Sequence, residues 1–66
     1  MKNNIRIERA RIKMTQAELA AQIGVSRQSI NAIEGEKYVP STVLALKMAA
    51  LFKMPVENLF ELEPTD

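Results

Sequence analysis

The stretch TQAELAAQIGVSRQSINAIE, residues 15–34, decides how this chain folds. Thr15 followed three residues later by Glu18 is a capping box, a pairing that marks the first turn of a helix. The helix it predicts spans residues 16–23 and ends at Gly24, because glycine adopts the left-handed conformation that commonly closes a helix. The first half of the stretch therefore predicts a short helix with a defined start and end.

The second half of the stretch predicts another helix that crosses the first. Ser26 is a favourable N-cap, and the helix it opens stops near Gly35. Ala20 is small enough to let two helices approach closely, and Gly24 permits a tight turn between them. The positions expected to face inward are Leu19, Ile23, Val25, Ile30 and Ile33. This combination predicts a helix-turn-helix over about residues 16–34.

The outward positions of the second helix carry side chains suited to reading base pairs. They are Arg27, Gln28 and Asn31, with Ala32 beside them. Arginine pairs with guanine, and glutamine or asparagine pairs with adenine, in the major groove of DNA. Two short helices in any bundle share part of this pattern, but the joint occurrence of caps, turn and polar outward face favours DNA binding. Arg27, in the first turn, can reach either a guanine or a phosphate.

Helix signals continue on both sides of this region. Apolar spacing predicts helices over about residues 4–13, 42–53 and 56–61, which gives five helices and an all-α fold. One alternative stays open at the start. Residues 4–9 alternate apolar and polar, as a strand does, so the first residues are either helical or extended and paired near Leu62.

Composition limits the classes of protein to which the chain can belong. Its 66 residues are 47% hydrophobic and 26% charged, which predicts one globular domain over residues 1–66. The absence of Cys and His excludes disulfides, Cys- or His-based metal sites and His-dependent catalysis, so we expect no metal, no cofactor and no enzyme. No apolar run is long enough to span a membrane, so we expect a cytoplasmic protein. We also expect no small-molecule ligand.

Net charge is only +1, but it is unevenly distributed. Residues 1–13 carry five basic side chains and one acidic one, whereas residues 54–66 carry only acidic ones. This asymmetry is typical of a protein with one face toward a polyanion, although ordinary solvated surface gives the same pattern.

The sequence resembles the phage repressor and Cro type of helix-turn-helix regulator, the Xre family, and especially its minimal single-domain bacterial members. The resemblance extends from residues 15–34 through KYVPS, LALKMA and VENLF. It implies a compact five-helix, lambda-repressor-like domain. It also implies a transcriptional regulator, typically a repressor, that binds a near-palindromic operator in double-stranded DNA as a homodimer.

The resemblance also assigns roles to individual residues. Gln16 matches a phosphate-contacting position, and Lys37 and Tyr38 fall in a loop beside the DNA backbone. Ser26, Arg27, Gln28, Asn31 and Ala32 match positions of the recognition helix. Arg9 and Glu34 match a buried ion pair. Two alternatives remain: Arg9 as a snorkelling surface residue, and Tyr38 as a packing residue that closes its loop.

The chain departs from the family pattern at two helix ends and in the fourth helix. The family often has glycine where this chain has Lys13, and glycine or asparagine where it has Glu36. Glu36 would also repel the DNA backbone. Thr42 stands where an apolar residue is usual.

Apolar residues nearly encircle the fourth helix, which is more than one monomer face needs. We therefore predict a dimerisation region over about residues 43–62. The interface residues expected there are Leu51, Val56, Leu59, Phe60 and Leu62. The alternative is a protein-interaction or antitoxin-like module that uses the same fold.

Overall fold

The computed structural model describes all residues from 1 to 66, and most of them are helical. Five helices are flanked by two very short strands. In chain order the elements are β1 (Lys2–Asn3), α1 (Ile5–Arg11), α2 (Gln16–Ile23), α3 (Arg27–Glu34), α4 (Thr42–Leu51), α5 (Val56–Leu59) and β2 (Phe60–Glu61). The predicted bounds of α2 and α3 are confirmed, whereas α1, α4 and α5 are each shorter than predicted.

Three helices begin with a hydroxyl cap. Thr15 accepts a hydrogen bond from the Glu18 amide, and the Glu18 carboxylate accepts one from the Thr15 amide, so the predicted capping box is confirmed. Ser26 caps α3 and Ser41 caps α4 in the same way, each by accepting from the amide three residues later. These bonds satisfy backbone donors that a helix otherwise leaves unpaired.

Helices α1 to α4 all end in the same manner, with one residue in the left-handed conformation. Those residues are Lys13, Gly24, Glu36 and Lys53, with φ of 56°, 77°, 61° and 56°. The residue after each donates its amide to a carbonyl five positions earlier, as in a Schellman motif; the bonds are Met14 to Arg9, Val25 to Ala20, Lys37 to Ala32 and Met54 to Ala49. The left-handed residues at 13 and 53 explain why α1 and α4 stop early.

The core is one cluster of twelve buried residues from all five helices, β2 and the residue that follows α4: Ile5, Leu19, Ala20, Ile23, Ile30, Ile33, Leu44, Met48, Ala49, Phe52, Leu59 and Phe60. Four of the five inward positions predicted from residues 15–34 belong to it, and Val25 packs against it partly buried. Ile12 follows Ile5 by seven residues, the spacing of one helix face, but it is 39% exposed because α1 has already ended at Arg11.

The two ends of the chain pair as an antiparallel ribbon, Lys2 with Glu61 and Asn3 with Phe60. Leu62 lies outside this pairing, and the alternating run 4–9 is helical from Ile5 onward. Helix α5 ends at Leu59 because Phe60 turns to an extended conformation and joins the ribbon.

The structure corrects two of the expected interface residues. Leu59 is fully buried and Phe60 is 8% exposed, both within the core of the single chain. Their apolar side chains stabilise the monomer, so they leave almost no surface for a partner.

None of the helices reaches the length and hydropathy required to cross a membrane.

Candidate nucleic-acid interface

Helices α2 and α3 form a helix-turn-helix whose inner faces are apolar. Ala20 is 4% exposed on the buried face of α2, and Gly24 turns the chain with a φ of 77°. A glycine at this turn avoids the cost that a Cβ atom adds in the left-handed region. The packing fixes which side chains of α3 face outward.

The predicted recognition residues lie on that outward face. Ser26, Arg27, Gln28 and Asn31 are exposed, and Ala32 is half-buried beside them. The Ser26 hydroxyl is occupied by capping, since it accepts from the Ser29 amide at 3.1 Å. Arg27 and Gln28 make no hydrogen bond or ion pair through their side chains within the chain, so their polar groups are available to a ligand.

A charged pair lies behind this face and joins α1 to the end of α3. Both oxygens of the Glu34 carboxylate accept from the Arg9 guanidinium, with Nη2 to Oε1 at 2.9 Å and Nε to Oε2 as the second bond. Arg9 Nη1 also donates to the Met14 carbonyl at 2.9 Å. The Arg9 side chain is 14% exposed and that of Glu34 is fully buried, which rules out a snorkelling Arg9.

The environment of Glu34 keeps its carboxyl group ionised. Burial by itself would raise the pKa of Glu34, but hydrogen bonds from Arg9 and Gln16 and the charges of Arg9 and Arg6 outweigh burial and hold that pKa below 4.5. The same pairing raises the pKa of Arg9, with burial opposing it. Both groups are therefore charged at neutral pH.

Gln16, the first residue of α2, connects this pair to the outward face. Its side-chain Nε2 donates to Glu34 Oε1 at 3.2 Å and to Asn31 Oδ1 at 3.3 Å. Gln16 thus belongs to a hydrogen-bond network with Arg9, Glu34 and Asn31. The sequence showed the four residues but not these bonds.

The loop after α3 carries the other two predicted contacts. Lys37 is exposed, and Tyr38 is 51% exposed rather than packed into the core. Glu36 precedes them with φ 61°, in the left-handed position where the family pattern has glycine or asparagine. Gly35 has an ordinary negative φ and does not replace it.

A second surface feature is an apolar groove of about 390 Å³ between the start of α4 and the C-terminal segment of the chain. Leu46 (53% exposed) and Val39 (61%) border it, together with Leu62 (77%). Val56 also lines this groove, whereas Leu51 lies elsewhere, beside Ile12 and Phe52. Of the five expected interface residues, Val56 and Leu62 line this groove with accessible surface, whereas Phe60, at 8% exposed, contributes almost none.

One residue that connects the terminal ribbon, α1 and α3 was not indicated by any sequence pattern. Asn3 Nδ2 donates to the Ile33 carbonyl at 2.8 Å, and Asn3 Oδ1 accepts from the Ile5 amide. It thereby connects the terminal ribbon to the end of α3 and starts α1. Such a contact between residues far apart in the chain is visible only after folding.

Comparison with known proteins agrees with this geometry. A family model described as helix-turn-helix matches residues 5–59. The chain is 46% identical over 63 residues to YgzD of Bacillus subtilis, an uncharacterized HTH-type transcriptional regulator, with 96% of each chain covered. It is 48% identical over 60 residues to an HTH-type transcriptional regulator of Methanocaldococcus jannaschii, with 91% of each covered.

A solved structure has the same fold. The crystal structure of the hypothetical transcription factor NHTF from Neisseria superposes with a TM-score of 0.79 at 31% sequence identity, covering 94% of this chain and 68% of that one. The capped α2 and α3, their glycine turn and the match over residues 5–59 identify the same arrangement. The chain therefore belongs to the helix-turn-helix family and is a small regulator of the Xre type.

Proposed function

We propose that the protein binds double-stranded DNA sequence-specifically and regulates transcription, with α3 in the major groove. The observation that carries this proposal is the outward face of α3, where Arg27 and Gln28 are exposed and have no partner within the chain. Polar groups of this kind match the donors and acceptors of base edges. The relatives named as transcriptional regulators support the same role, which requires no catalysis.

Selection of bound duplexes from a random pool tests the proposal directly. We expect a preferred sequence, and we expect Gln28→Ala to relax the preference at one or two base pairs of each half-site. Lys37→Ala should weaken all duplexes about equally, since a lysine in a loop contacts phosphate. Lys47→Ala, at an exposed lysine on α4, is the matched control and should leave binding unchanged. Failure of the wild type to enrich any sequence would refute the proposal.

We also propose that the protein binds as a homodimer through the apolar groove and its exposed rim. Leu46, Val39 and Leu62 expose more than half of their surface around this groove, a patch typical of an interface. Two recognition helices in such a dimer would address a near-palindrome with half-site centres about 10 base pairs apart. Repression then follows simply, because an occupied operator excludes other proteins.

Sedimentation of the wild type and of Leu46→Glu tests the dimer. Leu46 is exposed and outside the core cluster, so the substitution should dissociate the dimer without unfolding the monomer. Ile7→Glu is the control, because Ile7 is 64% exposed and does not line the groove. A concentration-independent wild-type monomer would contradict the proposal.

The second candidate function is a protein-interaction module that uses the same groove to hold a different protein. The groove favours it independently of α3. The salt dependence of binding distinguishes the two functions, since affinity for a DNA duplex falls steeply as the salt concentration rises and affinity for an apolar protein partner does not.

A further inference from the structure

We propose that Asn31 reads DNA as a hydrogen-bond donor and selects guanine, because a chain of hydrogen bonds from the Arg9–Glu34 pair fixes the orientation of its amide. The inference rests on the proposed function and adds the base class that this position recognises. It replaces the simpler expectation that an outward asparagine pairs with adenine.

The chain of bonds starts at the Arg9–Glu34 pair, in which each side chain can take only one hydrogen-bonding role. Arg9 can only donate, and the ionised Glu34 carboxylate can only accept. Arg9 holds both carboxylate oxygens, and Oε1 accepts a further bond from Gln16. Glu34 therefore presents an acceptor, and nothing else, to the start of α2.

The next step orients Gln16. Of the two polar atoms in its amide, only Nε2 can donate to the carboxylate, and it lies 3.2 Å from Glu34 Oε1. The same nitrogen lies 3.3 Å from Asn31 Oδ1, so its two hydrogens have two partners. Gln16 is consequently a positioning residue whose side chain has no donor left for a phosphate.

The last step orients Asn31. A nitrogen that donates requires an oxygen opposite it, so Oδ1 of Asn31 faces Gln16. The Nδ2 group then lies on the other side of the amide, with no partner in the chain, on an exposed residue of the recognition face. A bidentate contact with adenine needs Oδ1 and Nδ2 to face one base edge together, whereas the bond to Gln16 directs Oδ1 toward the start of α2.

Guanine complements the group that remains. It offers Nδ2 two acceptors in the major groove, N7 and O6, whereas adenine and thymine each offer one acceptor and cytosine offers only a donor. A well-formed contact of this kind discriminates against a wrong base by about 5- to 150-fold.

Duplex selection with the wild type, Asn31→Ala and Asn31→Asp tests the assignment. We expect one position per half-site to prefer guanine in the wild type and to lose its preference in Asn31→Ala. Asn31→Asp keeps an oxygen for Gln16 but turns the outward donor into an acceptor, so the preference should change to cytosine. Binding of single-base variants of the selected duplex gives the fold-change.

Gln16→Met tests whether Gln16 fixes the orientation of the Asn31 side-chain amide. It removes the donor to Asn31 and keeps the length of the side chain, so the amide can rotate and adenine should become tolerated at that position. Gln22→Met, on an exposed glutamine of the same helix, should leave the preference unchanged. Thermal melting of each variant establishes that it is folded.

The outcomes separate this inference from the proposed function. If the wild type selects a sequence but the position that depends on Asn31 prefers adenine, the orientation is wrong while DNA binding stands. If the preference does not respond to Asn31→Ala, Asn31 does not read bases. If the wild type selects nothing, the proposed function itself fails.

Discussion

Replacing Arg9 with methionine should destabilise the protein severely, because it leaves the Glu34 carboxylate buried without its main partner. The Glu34 side chain is fully buried and that of Arg9 is 14% exposed, so water does little to replace the lost bonds. Removing one partner of a buried pair typically costs about 3–5 kcal/mol. In a domain of this size, that cost lowers the melting temperature by about 12–40 °C.

A cycle of variants isolates the pair from general packing damage. Domains below ~70–80 residues seldom exceed a stability of about 3–5 kcal/mol, so Arg9→Met alone should be close to unfolded at 25 °C. The double variant Arg9→Met/Glu34→Met removes both charges and should recover most of the loss, because apolar replacements of buried pairs are often neutral. Urea denaturation followed by circular dichroism gives the free energy of unfolding for each variant.

The pH dependence of stability gives a sharper signature. In the wild type the pKa of Glu34 lies below its unfolded value of 4.5, so its contribution is present above pH 4.5 and is lost as the pH falls through the folded pKa. Without Arg9, burial should raise that pKa, and Arg9→Met should gain stability relative to the wild type as the pH falls from 7 to 5. Glu18 and Asp66 also have lowered pKa values, but both proteins contain them.

Two results would refute this reasoning. Stability within about 1 kcal/mol of the wild type, together with weakened duplex binding, would make Arg9 a phosphate contact rather than a structural group. Parallel pH profiles for the two proteins would show that Glu34 does not depend on Arg9 for its ionisation.

Four other predictions concern the helix ends and the loop after α3. Lys53→Gly should raise the free energy of unfolding by up to about 1 kcal/mol, because φ is 56° there and a left-handed side chain costs about 1–2 kcal/mol, less the added flexibility of glycine. Gly24→Ala should lower the free energy of unfolding by about 1–2 kcal/mol through backbone conformation alone, since a Cβ atom there meets no other atom within 4 Å. If Lys53→Gly and Gly24→Ala changed that free energy in the same direction, the strain argument would be contradicted. Thr15→Ala should cost about 0.5–2 kcal/mol in urea denaturation by removing the α2 cap, and a loss confined to DNA binding would show that the cap is dispensable. Lys37→Ala should reduce the slope of log affinity against log salt by about one unit, and an unchanged slope would remove Lys37 from the phosphate contacts.

Much of the fold was predictable because its signals are local. The cap at Thr15, the turn at Gly24 and the apolar positions of α2 and α3 act within a few residues, and they set the bounds that the structure shows. The ends of α1 and α4 were missed because lysine occupies the left-handed position at 13 and 53, where no glycine marks the stop. Side-chain identity does not report a positive φ in such cases.

The sequence by itself determined the helix-turn-helix and its outward polar face, and its family resemblance indicated the candidate pair of Arg9 and Glu34. Only the tertiary structure decided that Gln16 donates to both Glu34 and Asn31, residues 18 and 15 positions away, and so fixes which atom Asn31 presents outward. It also decided that Leu59 belongs to the core of one chain rather than to an interface. Helical periodicity and capping depend on neighbours within one turn, whereas burial and the direction of an amide depend on which distant elements meet it.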